Sequence, residues 1–447
     1  MIGTRLDDID APRLIRSEHG WWFIGNQTWT LLRPECVGPD GTVDAATTGL
    51  LRRSGAFQPR VPASFSLTVL TTTTCNLGCG YCFQNTGLDN TGGARPPRIR
   101  RAWLDTGIVE RIITFARDRM RQCELDRLYL LLFGGEPLLN PRGCLTLLDR
   151  ARMIGLDQCA MTTNGVLLSP RLARELYGAG LNGVQVTFDG SRADHDQIRV
   201  KRSGAPTFDS ILRNVARATE VTGLNWNLRV NVSHHNFDRI ADLVGELAAG
   251  LSPDRCTVTF AWVGDAGFGY RNTMRHIDDV SDAFVSWSIA ALEAGFRMVR
   301  PSMRTTCHIC SVPGGRYGAV VNADGQLFSC WQSAGKPGFE VGSIDEGTST
   351  WPASRNAGCT AVTSTNNRKR RSPTPSRTGS TAGCWTTSTP AAACNPVDKT
   401  TPTSTSSTLR RYRAVGREVG HHSRGHDSGC KRCGRPVHDA ARGVPHP

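Results

Sequence analysis

The sequence lacks the features that would place a protein in a membrane or outside the cell. No stretch approaches the roughly 18 consecutive apolar residues that a transmembrane helix needs. No positively charged segment followed by an apolar run and a cleavage site opens the chain. We therefore expect a soluble, cytoplasmic protein that is not exported and has no membrane partner.

The body of the chain also lacks an excess of basic residues, although the 447 residues together carry a net charge of +14. Residues 351–447 contain 16 Lys and Arg against 4 Asp and Glu, whereas residues 1–350 contain 37 against 35. A nearly neutral body offers little attraction to a phosphate backbone. We therefore expect no specific nucleic-acid partner.

Residues 351–447 are poor in apolar side chains. They contain one Leu and no Ile, Phe or Met, and 25 of the 97 residues are Ser or Thr. Such a segment cannot bury enough apolar surface to offset the entropy lost on ordering, so we expect a disordered basic tail. The abrupt change in composition at about residue 350 is also typical of a shifted reading frame in a GC-rich gene; a native disordered tail is the alternative.

Cysteine, in contrast, is abundant, with 16 residues in the chain. Three of them form the loop Cys75-Asn-Leu-Gly-Cys79-Gly-Tyr-Cys82, directly after a strand-like run. Thiolates at this spacing can bind one four-iron cluster from a single loop and leave one iron open to a substrate or cofactor. A zinc site usually has four ligands in paired CxxC knuckles, and three ordinary buried cysteines are the other alternative. The spacing favours an iron–sulfur cluster.

Strand-like runs alternate with helical patterns through the central part of the chain. Six strands alternating with helices predict an α/β fold with right-handed crossovers and a parallel sheet. Function in such sheets gathers at the carboxyl ends of the strands, where the three-cysteine loop would lie. The predicted strands cover 66–74, 127–133, 158–163, 183–188, 226–232 and 256–262, and the helices 105–123, 144–152, 170–177, 208–222, 237–249 and 280–299.

Two smaller units flank this region. Residues 1–62 contain Trp-rich runs at 21–24 and 28–32 that predict a β-hairpin, whose free edge could pair with an extended peptide. Between 301 and 350, Asp324 and Gly325 predict a second hairpin, which would bring Cys330 back towards Cys310. Half of a zinc site is the alternative for Cys310 with Cys307. The predicted domains are therefore 1–62, 63–300, 301–350 and the tail 351–447.

Polar residues follow several of the predicted strands. Gly134-Gly135-Glu136-Pro137 follows the second strand, where two glycines allow a ligand to approach the backbone, although such a loop is more often a simple turn. Asn164 and Asp189 end the third and fourth strands and could be plain turn residues, or Asp189 could handle a proton near a substrate. On the fifth strand, Arg229 and Asn231 alternate with apolar residues and so face one side.

These motifs, in this order, resemble those of the radical S-adenosylmethionine (SAM) superfamily. The three-cysteine loop is similar to its cluster-binding signature, and the Gly134–Pro137 loop to the motif that holds the amino group of SAM. The pattern Cys310-x14-Gly325-x4-Cys330 resembles the first half of a SPASM domain, an extension that holds auxiliary iron–sulfur clusters. The resemblance covers about residues 15–346. It is closest to SPASM-bearing maturases of ribosomally made peptides and to anaerobic sulfatase-maturing enzymes.

The resemblance implies a partial (β/α)6 TIM-type barrel with a truncated SPASM-like module. It implies a SAM-binding 4Fe-4S cluster on Cys75, Cys79 and Cys82, and an auxiliary 4Fe-4S cluster at Cys310 and Cys330. SAM would contact the Gly134–Pro137 loop, Asn164, Arg229 through its carboxylate and Asn231 through a ribose hydroxyl. The alternative for Arg229 and Asn231 is an internal ion pair with Glu136 or Asp189.

The implied reaction is reductive cleavage of SAM to a 5′-deoxyadenosyl radical, which takes a hydrogen atom from a peptide or protein. The outcome could be a thioether, a carbon–carbon crosslink, an epimerised centre or an oxidised side chain. A flavodoxin or ferredoxin would supply the electron. The chain departs from the family in its tail, where only Cys430 and Cys433 have the spacing of cluster ligands. The alternative function is therefore an impaired iron–sulfur or peptide-binding module that retains the fold.

Overall fold

The computed structural model describes residues 13–25, 29–57, 62–84, 99–264, 281–298 and 316–346. Cys310 and the tail at 351–447 lie outside these residues, so the predictions made for them remain predictions.

The described chain begins with a small antiparallel sheet. Its strands are β1 (Arg13–Ser17), β2 (Gly20–Ile24) and β3 (Trp29–Leu32), followed by helix α1 (Ala45–Arg53). The predicted hairpin is present as β2 and β3, whereas β1 and α1 were not anticipated. Trp22 is buried and its ring centroid lies 5.2 Å from that of Trp29, so these residues pack against each other.

A ten-stranded sheet forms the centre of the molecule. Its middle six strands are parallel and lie side by side in chain order, as the alternating pattern predicts. These strands are β4 (Phe65–Leu70), β5 (Leu128–Phe133), β6 (Leu156–Thr163), β7 (Gly183–Phe188), β8 (Asn225–Val232) and β9 (Cys256–Trp262).

The helices between these strands pack on one face of the sheet. One continuous core contains alternate residues of every strand, such as Leu67, Leu130 and Val230, together with the apolar stripes of the helices. Helices on a single face are typical of a barrel, since a doubly wound sheet has helices on both faces. The helices are α2 (Thr106–Gln122), α3 (Pro141–Arg152), α4 (Pro170–Gly178), α5 (Arg192–Ile198), α6 (Phe208–Val221), α7 (Ile240–Gly250) and α8 (Ser281–Glu293).

Short strands extend the sheet at both edges. β10 (Arg297–Met298) pairs in parallel with β9, and β11 (Gly318–Val321) pairs in parallel with β4. β11 then forms the predicted hairpin with β12 (Gln326–Phe328), and β13 (Glu340–Ser343) pairs antiparallel with β12. The region around Cys330 therefore continues the barrel sheet on the β4 side.

The first predicted strand is too long, because β4 ends at Leu70 and not at Thr74. Thr71 N–H still donates to the carbonyl of Phe133 at the end of β5, but Thr73 N–H donates to that of Ala102, which lies outside the strands. No helix among the described residues combines the length and apolarity needed to cross a membrane.

Candidate cluster and cofactor site

The three-cysteine loop lies beyond the carboxyl end of β4. Cys75, Cys79 and Cys82 are partly exposed and form no disulfide bond with one another. Burial raises the pKa of Cys75 well above its usual value, and the charges of Cys79, Glu136 and Cys82 raise it further. Burial also raises the pKa of Cys79 to about 12. Such mutual effects are those expected of thiols that share one loop; that the three sulfurs lie close together stays a prediction.

Three thiols on one loop are ligands that an iron–sulfur cluster or a zinc ion can take. Among the described residues, no three His, Cys, Asp or Glu side chains are grouped to hold one metal ion. Deprotonation of thiols with raised pKa values needs a strong cationic partner, which a cluster supplies. That the sulfurs converge on one cluster stays a prediction.

A segment that follows α5 supports the cysteine loop from outside. Gly78 N–H donates to the carbonyl of Val200 at 3.0 Å, and Arg202 N–H donates to that of Asn76 at 3.1 Å. Leu77 forms an antiparallel bridge with Lys201 between these bonds. The loop conformation therefore depends on a part of the chain more than a hundred residues away, at 200–202.

The glycines of the Gly134–Pro137 loop are required by a close approach of two backbones. Gly135 N–H donates to the carbonyl of Thr72 at 2.8 Å, and Glu136 N–H donates to that of Thr74 at 2.9 Å. A Cβ atom on Gly134 would lie 2.4 Å from the Thr72 oxygen, and one on Gly135 would lie 2.3 Å from the Thr74 oxygen. The neighbour that excludes side chains here is the segment leading to Cys75, and not only a ligand as predicted.

The side chain of Glu136 joins the ends of β5 and β6. Its carboxylate accepts hydrogen bonds from Thr163 Oγ1 at 2.6 Å, Asn164 N–H at 2.7 Å and Leu138 N–H at 3.0 Å. The group is buried, which raises its pKa although these donors stabilise the charged form. Pro137 starts a 3-10 turn that carries the chain into α3. Glu136 thus has a structural role at the predicted SAM motif.

Asn164 lies against the cysteine loop, as its position at the end of β6 predicted. Its Nδ2 donates to Asn76 Oδ1 at 2.7 Å and lies 3.9 Å from Cys75 Sγ. Its Oδ1 accepts from Val166 N–H at 3.0 Å, which forms the turn after the strand. The contacts of Asn164 therefore agree with both interpretations: it is a turn residue, and it lies beside the cysteine loop.

The hydroxyl of Tyr81, between Cys79 and Cys82, is the centre of a polar network. It donates to Asp189 Oδ2 at 2.7 Å and accepts from Arg199 Nη1 at 2.6 Å and Asn231 Nδ2 at 3.0 Å. Arg199 also forms an ion pair with Asp189, at 3.8 Å. Burial raises the pKa of Asp189, against the opposing effect of Arg199. Asp189 is therefore held by a cation and a phenol close to the cysteine loop.

Arg229 and Asn231 share the inner face of β8, as predicted. Arg229 Nε donates to Asn231 Oδ1 at 2.8 Å, and burial lowers the pKa of Arg229 to about 10. Arg199 forms an ion pair with Asp189, and Glu136 accepts from hydroxyl and backbone donors. Asn231 links Arg229 to Tyr81 and so places the pair beside the cysteine loop.

Several buried polar atoms at this end of the barrel have no hydrogen-bond partner among the described residues. They include Asp189 Oδ1, Arg199 Nε and Thr162 Oγ1. Unpartnered buried polar atoms are costly and are characteristic of sites that hold a ligand. SAM carries hydroxyl and ammonium donors for the carboxylate of Asp189, so the residues present fit this cofactor.

The residues around Cys330 pack beside the cysteine loop. The rings of Phe83, Phe133 and Trp331 stack in that order, with centroid distances of 6.4 Å and 5.6 Å. Phe83 follows Cys82, and Trp331 follows Cys330. We call these three residues the aromatic wall; it connects the cysteine loop, the strand before the glycine loop and the predicted auxiliary module.

Lys336 lies near both cysteine regions. Burial lowers its pKa, and the charges of Cys330 and Cys82 oppose that shift. Cys330 itself is buried. Because Cys310 lies outside the described residues, an auxiliary cluster at Cys310 and Cys330 stays a prediction.

Sequence reasoning missed Arg199, which is the principal cation of the polar network. It follows α5, a helix whose buried residues are Asp194 and His195, so the apolar periodicity that reveals the other helices is absent. The pairing of Asp189 with an Arg ten residues later was the available signal. The aromatic wall was missed because stacking across strands depends on register.

A mostly parallel sheet with helices on one face and a three-cysteine loop after its first central strand is an α/β fold of the partial-barrel class. The profile of the Radical SAM superfamily matches residues 69–247. The GTP 3′,8-cyclase of Synechococcus sp. (strain CC9902) is 34% identical over 288 residues, which is 58% of this chain and 76% of the cyclase. The chain belongs to the radical SAM superfamily, and this membership implies a 4Fe-4S cluster and SAM.

Other relatives match over shorter parts. Human molybdenum cofactor biosynthesis protein 1 is 30% identical over 192 residues, or 42% of this chain and 27% of that protein. The match to the GTP 3′,8-cyclase of Heliobacterium modesticaldum (strain ATCC 51547 / Ice1) spans 35% of the relative's length. Among solved structures, native anSMEcpe with bound AdoMet has a TM-score of 0.50 at 18% identity, covering 64% of this chain and 79% of that one. This last likeness concerns the fold.

Proposed function

We propose that this radical SAM enzyme modifies a side chain or backbone position of a peptide or protein. The observation that carries the proposal is the aromatic wall of Phe83, Phe133 and Trp331 beside the cysteine loop. An aromatic surface of this kind suits apolar and aromatic amino-acid side chains. The unpaired outer edges of β1 and β3 in the described three-stranded sheet also suit pairing with an extended peptide.

In this proposal Cys75, Cys79 and Cys82 hold the cluster, and Asp189 and Arg229 orient SAM. The bound group supplies one electron that cleaves SAM to methionine and a 5′-deoxyadenosyl radical able to take a hydrogen atom from the substrate. The protein's own contribution is to fix one carbon–hydrogen bond of the substrate in place and to exclude water, for which the partly buried aromatic wall and the buried Asp189 are suited.

Deuterium transfer tests the proposal directly. The full chain is reconstituted anaerobically with iron and sulfide, reduced, and incubated with SAM and a library of peptides built from perdeuterated amino acids. We expect deuterium in the released 5′-deoxyadenosine, measured by mass spectrometry. Cys79→Ala should abolish both the cluster absorbance and the nucleoside, whereas Cys36→Ser in the amino-terminal unit should change neither.

A second candidate, cyclisation of a purine nucleotide, is favoured by the 34% identity to a protein named GTP 3′,8-cyclase. A bond to C3′ requires loss of the hydrogen at that carbon, so GTP deuterated at C3′ is the matching probe. Transfer of deuterium from GTP and not from the peptides would overturn the peptide proposal. Release of no 5′-deoxyadenosine with either probe would favour the alternative of an impaired binding module.

A further inference from the structure

The hydroxyl of Tyr81 uses its full hydrogen-bonding capacity within the protein. A phenol has one hydrogen to donate and two lone pairs to accept. Tyr81 donates to Asp189 and accepts from Arg199 and Asn231, at 2.7, 2.6 and 3.0 Å. These three partners belong to the loop after β7, the end of α5 and strand β8. Three separate elements therefore meet at one atom of the cysteine loop.

The two charged partners are held in place from behind by His195, which is fully buried. Its Nδ1 accepts from the backbone N–H of Asp189 at 3.2 Å, so the hydrogen of the neutral ring is on Nε2. Nε2 lies 3.0 Å from Thr207 Oγ1, which in turn donates to the carbonyl of Arg199. Burial lowers the pKa of His195 well below its usual value, which agrees with the neutral ring.

Burying an arginine and an aspartate together lowers the stability of the fold, so their presence here indicates a role in fixing the position of their partner. Arg199 is 8% exposed and Asp189 is 1% exposed, and burying both charges costs free energy that their attraction only partly restores. The pair acts on Tyr81, which stands between two of the three cysteines. Its geometry holds the Cys79–Cys82 segment at a defined distance from the inner face of β8.

We propose that Arg199 and Asp189, supported by His195, form a clamp on the Tyr81 hydroxyl that positions the Cys79–Cys82 segment for SAM binding. Arg199 is a positioning residue that acts through Tyr81. This inference rests on the proposed radical SAM activity but not on the identity of the substrate, because SAM binding is measured without substrate.

A double-mutant cycle tests the clamp. The variants are Tyr81→Phe, Arg199→Met and the double variant, with Arg213→Met on the exposed side of α6 as the matched control. Each protein is reconstituted, its iron content is measured, and its SAM dissociation constant is determined by equilibrium binding. The electron paramagnetic resonance (EPR) spectrum of the reduced cluster, with and without SAM, is the second readout.

We expect each single variant to keep its iron and to bind SAM about tenfold more weakly, the effect typical of losing a hydrogen bond to a charged group. The double variant should be no weaker than either single one, and Arg213→Met should match the wild type. Additive losses would overturn the clamp, because Arg199 would then act independently of Tyr81, for example on SAM itself.

Tyr81→Phe keeps the ring and removes only the hydroxyl, so it decides the matter even when Arg199→Met fails to fold. Unchanged SAM affinity and an unchanged EPR spectrum in Tyr81→Phe would overturn the clamp. If the wild-type protein binds SAM normally but modifies no peptide, the proposed substrate is wrong. That result does not affect the clamp.

Discussion

The inner face of the barrel sheet divides into two unlike halves. Strands β4–β6 with β11 and β12 present apolar side chains, which we call the apolar half: Leu70, Leu131, Phe133, Ala160, Val320 and Phe328. Strands β7–β9 present hydrogen-bonded polar side chains, which we call the polar half: Gln185, Asn227, Arg229, Asn231 and Thr259. The outer face of the same strands is apolar throughout, because helices cover it.

The comparison shows two ways of fixing one loop. On the apolar side, Phe83 stacks on Phe133, and the position of the loop depends on shape and contact. On the polar side, Tyr81 bonds to Asn231, and its position depends on directed hydrogen bonds. Packing tolerates substitutions of similar size, whereas a buried polar network fails when one member is removed. The two halves should therefore respond differently to mutation.

The largest expected effect comes from the glycine loop that follows β5. In Gly135→Ala the new Cβ would lie 2.3 Å from the Thr74 carbonyl oxygen, and backbone cannot move aside as a side chain can. We expect a loss of about 3 kcal/mol in the free energy of unfolding and a loss of iron binding. Denaturant unfolding and iron analysis measure these effects.

Gly78→Ala is the matched control, since nothing lies within 4 Å of the Cβ position there. It should fold and bind iron as the wild type does. Equal behaviour of the two alanine variants would mean that the contact of the glycine loop with residues 72–74 does not position the cysteines.

A smaller effect is expected from the polar half. Asn231→Leu removes the side-chain oxygen that accepts from Arg229 Nε and the amide that donates to the Tyr81 hydroxyl. The guanidinium and the hydroxyl each lose one hydrogen bond. We expect a loss of about 2 kcal/mol in stability and weaker SAM binding. Asn227→Ala, on the same face of β8 but bonded to Gln185 and Thr259, should leave SAM binding unchanged. If both variants weaken SAM binding equally, the polar half acts as one unit.

The smallest effect on stability is expected from the apolar half. Trp331→Leu keeps an apolar side chain at this partly buried position and removes one ring of the aromatic wall, which should cost about 1 kcal/mol because stacked pairs contribute roughly 0.5–1.5 kcal/mol beyond burial. SAM cleavage without substrate should persist, whereas peptide modification should fall. Trp331→Phe, which keeps a stacked ring, should restore modification; failure to restore it would assign Trp331 a role other than stacking.

The six parallel strands could be predicted because apolar runs of strand length alternate with helical periodicity, and burial on both faces enforces that pattern. The end of β4 could not, because Thr72 and Thr73 have strand propensity but hydrogen-bond to residues 100–102, which lie outside the strands. Helix α5 was missed for the opposite reason, since its buried residues Asp194 and His195 are polar.

The sequence by itself determined the chemistry of this protein: the spacing of Cys75, Cys79 and Cys82 and the order of the motifs along the strands are local properties of the chain. The tertiary structure decided which partners those residues have. Arg199 meets Tyr81 and Trp331 meets Phe133 only after strands more than a hundred residues apart are brought together. Hydrogen bonds and ring stacking depend on distances of a few ångströms, and register and crossover geometry set those distances, so no local pattern encodes them.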